Sequence, residues 1–240
     1  MRVSIIIPTV NDPHLDKTID NLRANAGGEI EIIVEEGKGM RQAINDGVKR
    51  ATGEYILKCD AHCTFDTNYD LKLLEGIQDD WVVSPRRYKL DVDNWKLFDD
   101  HPIDYMKIDV QIDKLHGAED KRRTRERKDI MVDENMIFQG SCWVMSRKWW
   151  DRTIKELQIE GYGTFTQEPQ EICLKTWLGG GKVMLNKNTW YSHRDRRFRR
   201  TVRVPGDEVR AGNEYSRDYW LSNKWPERIH DYEWLVERFR

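Results

Sequence analysis

The sequence predicts an α/β domain with a mostly parallel sheet, and three features favour this fold class. Short apolar runs of the kind that form buried strands alternate with segments whose apolar residues recur at helical spacing. Glycines stand between these segments, where a helix has to end before the next strand begins. Repeated β-α-β units need right-handed crossovers, which produce a parallel sheet covered by helices. A chain of 240 residues fits one such domain with a substantial core.

The predicted elements follow a regular order through residues 1–85. Strands are predicted at 2–7, 29–35, 54–59 and 81–83, because each is a short apolar run bounded by turn residues. Helices are predicted between them at 12–26, 40–51 and 71–77, where the apolar residues are three or four positions apart. Gly27 and Gly28 end the first helix, and Thr52 and Gly53 turn the chain into the third strand.

Residues 86–135 interrupt this order, since they are charged and poor in apolar runs. Two interpretations of this variable insertion stay open: a solvated surface excursion, or a segment that binds an acceptor. Regular patterns return at 136–146 and continue with a Trp-rich helix at 148–157, a helix at 168–178 and a strand at 182–186. The sequence therefore predicts a single domain over 1–240, in which residues 136–240 form the second half and end in short helices.

Composition predicts a very polar surface, because charged residues make up 34% of the chain and hydrophobic residues only 38%. No apolar run approaches the ~18 residues that span a bilayer. The short apolar run at 3–7 ends at Pro8, which is typical of a strand and not of a signal peptide. The cysteines at 59, 63, 142 and 173 lack the paired spacing of a metal site, so buried reduced thiols are expected. We therefore expect a cytoplasmic protein without membrane association.

Two basic clusters stand out, although the net charge is only −2. The first runs from Lys121 to Lys128. The second runs from Arg194 to Arg203 and holds six arginines within ten residues, with Phe198 among them. A solvated basic loop explains either cluster, but each also suits a local polyanion site.

Asp60 and His62 form the most informative pair in the sequence. They follow the predicted strand 54–59, and residues two apart in an extended strand point to the same face. Open α/β sheets bind ligands at the carboxyl ends of their strands, and a carboxylate beside an imidazole suits a cation of the Mn²⁺ type. His193, after another short apolar run, is a third candidate ligand. The alternative is ordinary hydrogen bonding at the ends of strands.

The order of these motifs resembles that of GT-A-fold glycosyltransferases, a large superfamily that includes many inverting enzymes. The similar segments are the opening strand at 3–9, the second strand at 31–37, the helix and turn at 43–56, and the segment at 140–147. The closer resemblance is to the polypeptide N-acetylgalactosaminyltransferases. It rests on Asp60-Ala-His-Cys63, on the acidic segment 165–172, on His193 with Arg196, and on the segment 213–221. Together these segments cover most of the chain outside 86–135.

The resemblance implies a UDP-sugar donor and a Mn²⁺ or Mg²⁺ cofactor held by Asp60, His62 and His193. It also implies that residues 1–85 form the nucleotide-binding half and residues 136–240 the acceptor-side half with the C-terminal helices. A metal between protein ligands and both phosphates stabilises the departing diphosphate. Glu35 or Glu36 would accept the imide N–H of uracil. The backbone of Pro8 and Thr9 would face the base or ribose. Phosphate contacts would come from Arg41 or Lys38, or from Arg196 in a mobile loop, although solvated side chains are the alternative for Glu35, Glu36, Lys38 and Arg41.

Glu168 is the remaining catalytic candidate besides Asp60. Related inverting enzymes carry an Asp directly after the equivalent Glu as general base, whereas this chain has Pro169 there. Either Glu168 is itself the base of an inverting reaction, or the enzyme retains configuration and Glu168 positions the donor sugar; the missing Asp favours retention. A carboxylate at a helix N-terminus is the structural alternative. Thr166 and Gln167 replace the two glycines that the acidic motif has in the resembled family.

The acceptor is predicted from charge and from the missing lectin domain. Two basic clusters in a small chain without lectin domain, signal or anchor favour DNA, with a hydroxymethylated pyrimidine, flipped out of the helix, as the hydroxyl acceptor. Phe198 among arginines suits base stacking combined with neutralisation of the backbone. Such an enzyme would suit a bacteriophage and act in the host cytoplasm. The alternatives are a protein, glycan or cell-envelope acceptor, a metal-dependent nucleotidyltransferase, and a non-catalytic nucleic-acid-binding protein on the same scaffold.

Overall fold

A computed structural model describes residues 1–198 and 204–240. Its strands are β1 Arg2–Thr9, β2 Glu29–Glu36, β3 Tyr55–Cys59, β4 Cys63–Phe65, β5 Trp81–Asp91, β6 Lys96–Leu97, β7 Met106–Val110, β8 Leu115–Glu119, β9 Val132–Glu134, β10 Cys142–Ser146 and β11 Lys182–Arg194. Its helices are α1 Leu15–Asn25, α2 Met40–Arg50, α3 Tyr69–Leu74, α4 Lys121–Glu126, α5 Arg147–Trp149, α6 Glu168–Leu178, α7 Gly206–Leu221 and α8 Tyr232–Arg238. A π-helical turn, Trp150–Ile154, continues α5.

The main sheet has the strand order β2-β1-β3-β10-β5-β11-β4. Strands β1, β2 and β3 are parallel, β10 runs antiparallel to both β3 and β5, β11 is parallel to β5, and β4 is antiparallel to β11. Five of these seven strands therefore run in one direction, as the predicted mostly parallel sheet requires. The carboxyl ends of β1, β3 and β11 lie at the same edge of the sheet. Thr9, Asp60 and His193 therefore lie at this edge.

The core lies on both faces of the sheet, because successive side chains of a strand point to opposite faces. On one face Ile6 packs with Trp143 and Trp177, under α2, α6 and α8. On the other face Ile5 and Leu57 pack with residues of α1 and α3. A sheet buried on both faces is what the nearly continuous apolar runs of β1 and β3 predict.

Residues 86–135 are not the solvated surface excursion that the sequence allowed. Strand β5 continues through Asp91, and the β7–β8 hairpin contributes Met106, Ile108 and Leu115 to the larger core. The sequence did not reveal this structure, because several of the charged side chains form ion pairs with one another and are not solvated. Nε of Arg86, for example, lies 2.7 Å from Oδ1 of Asp104. Strand β11 likewise extends to Arg194, beyond the predicted 182–186, while α6 has the predicted bounds.

The four cysteines are free and buried, and burial raises the pKa of each thiol. They are therefore protonated and poorly reactive at neutral pH. No helix within the described ranges is both long and apolar enough to span a bilayer.

Candidate active site

Asp60, His62 and His193 converge at the carboxyl edge of the sheet. Nε2 of His193 lies 3.0 Å from Oδ2 of Asp60 and 3.0 Å from Nε2 of His62. All three side chains offer a ligand atom, and these atoms lie within 4.8 Å of one another. Two local features bring them together: Asp60 and His62 follow β3, and the antiparallel pairing of β4 with β11 sets Cys63 opposite His193. The structure thus brings together the three residues that the sequence analysis names as metal ligands, and their binding of a metal stays a prediction.

Asp12 orients the ring of His62. Its Oδ2 lies 2.8 Å from Nδ1 of His62 and 3.8 Å from Nη1 of Arg194. Burial acts to raise the pKa of Asp12, but the His62 hydrogen bond and the other contacts lower it overall, so the carboxylate is ionised and accepts the Nδ1 proton. Nε2 of His62 is thereby left with its lone pair directed at the cluster, which is the arrangement that a metal ligand needs.

Lys58 lies behind Asp60 as a fully buried cation. Its ammonium group donates to Oδ1 of Asp60 at 2.6 Å and to the carbonyl oxygen of Gly140. Burial alone would raise the pKa of Asp60, but Lys58 and then His193 outweigh it and hold that pKa well below its usual range. Asp60 is therefore a fixed carboxylate whose Oδ2 faces the two histidine rings.

His193 has a different environment from His62. Burial lowers its pKa to about 4, although Asp60 opposes this shift, so the ring is neutral at physiological pH. Its Nδ1 faces Nη2 of Arg87 at 3.3 Å. A neutral ring is a requirement for metal binding, and this requirement is met.

The donor set fits a divalent cation of the Mn²⁺ type. One carboxylate oxygen and two imidazole nitrogens suit a borderline ion that accepts both oxygen and nitrogen ligands. The outer contacts, Asp12 on His62 and Lys58 on Asp60, fix two of the three donors, as partners of metal ligands do in many proteins. Within the described ranges, no other set of three histidine, cysteine or acidic side chains brings its ligand atoms this close.

A cavity of about 710 Å³ opens beside the cluster and is large enough for a nucleotide sugar. Its lining comes from the ends of β1, β3 and β11, the start of α2, the segment before α6, and α7. The lining residues are Pro8, Thr9, Val10, Asp12, Gly39, Met40, Ala43, Asp60, Ala61, His62, Thr164, Phe165, His193, Arg194, Val204, Pro205 and Val209. The Thr9 hydroxyl is buried and has no hydrogen-bond partner in the described part of the chain, so it remains available to a ligand.

The backbone of Thr9 is engaged differently from the prediction, since its carbonyl oxygen accepts a hydrogen bond from the amide of Gly37 at 3.0 Å. The side chain, and not this carbonyl, is therefore the group that Thr9 presents. Pro8 lines the cavity as expected.

Glu168 lies beneath the site and does not line the cavity. Its Oε1 accepts a hydrogen bond from Trp143 Nε1 at 2.6 Å, and its Oε2 occupies the space where a side chain at Gly140 would be. Burial raises the pKa of Glu168, while the nearby Lys58 and the Trp143 bond oppose the shift. A buried carboxyl with an elevated pKa beside a charged cluster is a frequent property of functional sites.

Arg41 does not meet donor phosphates. Its guanidinium is fully buried and donates to the carbonyl oxygens of Gln158 and Thr166 and to the carboxylate of Glu171, so its donors are occupied inside the protein. The prediction failed because a basic residue at the start of a helix is normally solvated, and only the fold brings Glu171 to it. Arg41 instead fastens α2 to the segment that lines the cavity.

Glu35, Glu36 and Lys38 also lie outside the cavity lining. Glu35 is buried, and its two oxygens accept from Arg50 at 2.6 Å and Lys38 at 3.1 Å. This pairing leaves Glu35 poorly placed to accept a uracil N–H. Glu36 is exposed.

The two basic clusters differ in their availability. In the first cluster, 121–128, Arg123 of α4 and Arg127 just after it both bind the carboxylate of Asp133. The exposed basic side chains of this cluster are Lys121, Arg122, Arg125 and Lys128. In the second cluster Arg194 lines the cavity and Arg196 is exposed. Residues 199–203 of this cluster lie outside the described residues.

Asp12, Lys58 and Arg87 were missed by sequence reasoning. Asp12 is the first residue of the predicted helix 12–26, where an acidic residue is ordinarily a cap. Lys58 carried a usable signal, because a lysine inside the apolar run 54–59 has to be buried and therefore needs a carboxylate partner. Arg87 lies in the charged region 86–135, where nothing distinguishes it from solvated arginines.

The α/β fold, with a candidate metal cluster at the carboxyl edge of its sheet, is that of a transferase scaffold, and comparison with known proteins gives the family. Residues 34–153 match the model of glycosyl transferase family 2. The chain belongs to this family.

Relatives support the same fold. The probable N-acetylgalactosaminyltransferase 7 of Caenorhabditis elegans is 24% identical over 207 residues, which cover 76% of this chain and 31% of the relative. The crystal structure of GalNAc-T7 with UDP, GalNAc and Mn²⁺ superimposes with a TM-score of 0.73 at 16% identity, over 93% of this chain and 48% of that one. The structure of Staphylococcus aureus TarS 1–349 in complex with UDP-GlcNAc gives 0.56 at 12% identity, over 87% and 63%. The chain thus spans about a third of the length of the Caenorhabditis elegans protein and about half of the length of the GalNAc-T7 structure.

Proposed function

We propose that the protein is a metal-dependent glycosyltransferase that uses a UDP-sugar. The observation that carries this proposal is the convergence of Asp60, His62 and His193 beside the cavity, in a chain of glycosyl transferase family 2. The similarity to a GalNAc-T7 structure that contains UDP, GalNAc and Mn²⁺ supports the same donor and metal.

The three ligand residues would hold Mn²⁺ or Mg²⁺, which supplies positive charge to the departing diphosphate. Among the described residues, Arg194 is the arginine that lines the cavity, where it would bind phosphate oxygens. The free hydroxyl of Thr9, at the end of β1, would bind the nucleoside. Arg196 stays a prediction as a second phosphate contact.

The donor chemistry is tested by incubating the protein with UDP-sugars and Mn²⁺ and measuring the products. Release of UDP is expected. Release of a sugar 1-phosphate would indicate a nucleotidyltransferase, and no turnover with any UDP-sugar and acceptor would favour a non-catalytic binding protein.

For the acceptor, we propose a hydroxymethylated pyrimidine in DNA. Cationic and aromatic side chains lie together where the segment after β11 meets the residue after β6: the Arg197 guanidinium stacks 3.8 Å above the ring of Phe98, which also packs against Phe198. The ammonium group of Lys17 in α1 lies 5.2 Å from the ring of Trp95, which is in the turn between β5 and β6. Aromatic faces beside cations suit unpaired bases and phosphates. On this proposal the protein works in the cytoplasm of a bacterium during phage infection.

The acceptor is tested by offering UDP-sugars with hydroxymethylated DNA, unmodified DNA and peptides, followed by mass spectrometry of the products. Transfer to hydroxymethylated DNA alone, with activity that falls as salt is raised, is expected. Salt-independent transfer to a peptide or saccharide would reject the DNA acceptor and leave the donor chemistry intact.

A further inference from the structure

Arg87 is a cation without a carboxylate partner in the described part of the chain. It lies on β5, in register with Tyr191 of the neighbouring β11. Its Nε is buried and makes no hydrogen bond to any described residue, and its Nη2 lies 3.3 Å from Nδ1 of His193. A partly buried guanidinium normally has an anion beside it, so its contact with a metal-ligand ring calls for an explanation.

The contact determines which nitrogen of His193 carries the proton. A guanidinium only donates hydrogen bonds, so Nδ1 of His193 has to accept and the ring proton resides on Nε2. That proton has acceptors at hand, since Oδ2 of Asp60 and Nε2 of His62 both lie at 3.0 Å. Binding a cation through Nε2 of His193 requires the opposite tautomer, with a proton on Nδ1 that points at Arg87.

The second histidine is held in the opposite way. Asp12 accepts the Nδ1 proton of His62 at 2.8 Å, which leaves the lone pair of Nε2 free. The hydrogen bonds from Arg87 to His193, from His193 to His62 and from His62 to Asp12 are therefore mutually consistent in direction. Asp12 therefore holds His62 in the tautomer that can bind a metal through Nε2, whereas Arg87 holds His193 in the tautomer that cannot.

We propose that Arg87 is a positioning residue that holds His193 in the non-ligating tautomer and thereby lowers the affinity of the site for a divalent cation. The inference rests on the proposed function, because it takes Asp60, His62 and His193 as the metal ligands. It predicts that the free protein binds Mn²⁺ weakly. The diphosphate of the donor, by supplying further oxygen ligands, then offsets the cost of changing the tautomer.

The first test is a Mn²⁺ titration of the wild-type protein, Arg87→Met and Arg87→Gln, followed by electron paramagnetic resonance. Both variants are expected to bind Mn²⁺ roughly tenfold more tightly, the size of effect common for partners of metal ligands. Arg87→Gln should bind Mn²⁺ at least as tightly as Arg87→Met, because the new amide oxygen can accept a hydrogen bond from Nδ1–H of His193. Lys89→Met is the matched control: it removes a cation from the same strand that contacts Asp100 and not the ring, and should change the affinity less than about twofold.

The second test reads the tautomer directly, by ¹⁵N NMR of histidine-labelled, metal-free protein at neutral pH. His193 is expected as the Nε2–H tautomer in the wild type and as Nδ1–H in Arg87→Gln. An Nδ1–H ring in the wild type, or equal tightening by Lys89→Met, overturns the proposed role of Arg87. A wild type that binds no Mn²⁺ even with UDP contradicts the proposed function instead, and the NMR result still decides the tautomer.

Discussion

Asp12 and His62 are joined by a hydrogen bond of 2.8 Å between Oδ2 and Nδ1, across 50 positions of the sequence. This bond fixes the direction in which the other ring nitrogen points, towards Asp60 and His193. The candidate metal site therefore depends on an acidic residue that is not itself in the cluster of three ligands.

Replacing Asp12 by Ala is expected to weaken Mn²⁺ binding at least tenfold, because the His62 ring loses the acceptor that fixes its tautomer and orientation. Calorimetric titration of Mn²⁺ in the presence of UDP measures the change. Asp16→Ala is the matched control, since Asp16 is an exposed acid in the first turn of α1. Equal affinities of wild type and Asp12→Ala would contradict the role given to Asp12.

Replacing His193 by Ala is expected to abolish Mn²⁺-dependent release of UDP, because one of the three ligands is lost. The comparison is His101→Ala, which removes a histidine whose side chain is 70% exposed. Activity is measured with and without EDTA. Metal dependence that survives in His193→Ala would reject this histidine as a ligand.

Arg41→Met is expected to destabilise the protein by about 3–5 kcal/mol, because the buried carboxylate of Glu171 loses one of its two cationic partners and keeps only Lys175, at 2.8 Å. Urea unfolding followed by circular dichroism measures the free energy of unfolding. Arg50→Met tests whether burial is the reason. Arg50 also pairs with a buried carboxylate, Glu35, but its side chain is 62% exposed, and the loss should stay below about 1 kcal/mol. Similar losses in both variants would contradict the argument.

Glu168 is expected to set the acid limb of the pH–rate profile. Burial raises the pKa of Glu168, so the carboxylate takes up its proton at a higher pH than the ordinary value of about 4.3. If the ionised form is needed, kcat falls as the pH drops through this raised pKa. Glu168→Gln should lower kcat and remove the acid limb. An unchanged limb in the variant would assign it to another group.

The sugar is expected to be transferred with retention of configuration. The residue after Glu168 is Pro169, which cannot accept a proton, and Glu168 does not line the cavity, so neither is placed to deprotonate an acceptor hydroxyl. The anomeric coupling constant of the product, measured by proton NMR, decides the stereochemistry. An inverted product would return Glu168 to the role of general base.

The elements near the amino terminus were predictable from local pattern, and the later ones less so. Strand β1 and helix α6 have clear apolar periodicity and clear end signals, and α6 has its predicted bounds. Strand β5 continues past residue 83 through Arg86, Arg87 and Lys89. Arg86 and Lys89 form ion pairs with acidic residues outside the strand, so the local sequence pattern does not reveal that these charged residues belong to it. The same limit applies to the site: the three ligands have recognisable types and positions, whereas Asp12 and Arg87 gain their roles only from tertiary contacts.

Strand β11 also carries a consequence for when the protein becomes active. His193 lies opposite Cys63 in the pairing of β11 with β4, and β11 also pairs with β5, so the ligand set stays incomplete until residue 193 has been synthesised. Domains emerge from the ribosome amino terminus first. A nascent or truncated chain that stops before this strand would hold two of the ligands, and we expect it to be catalytically silent.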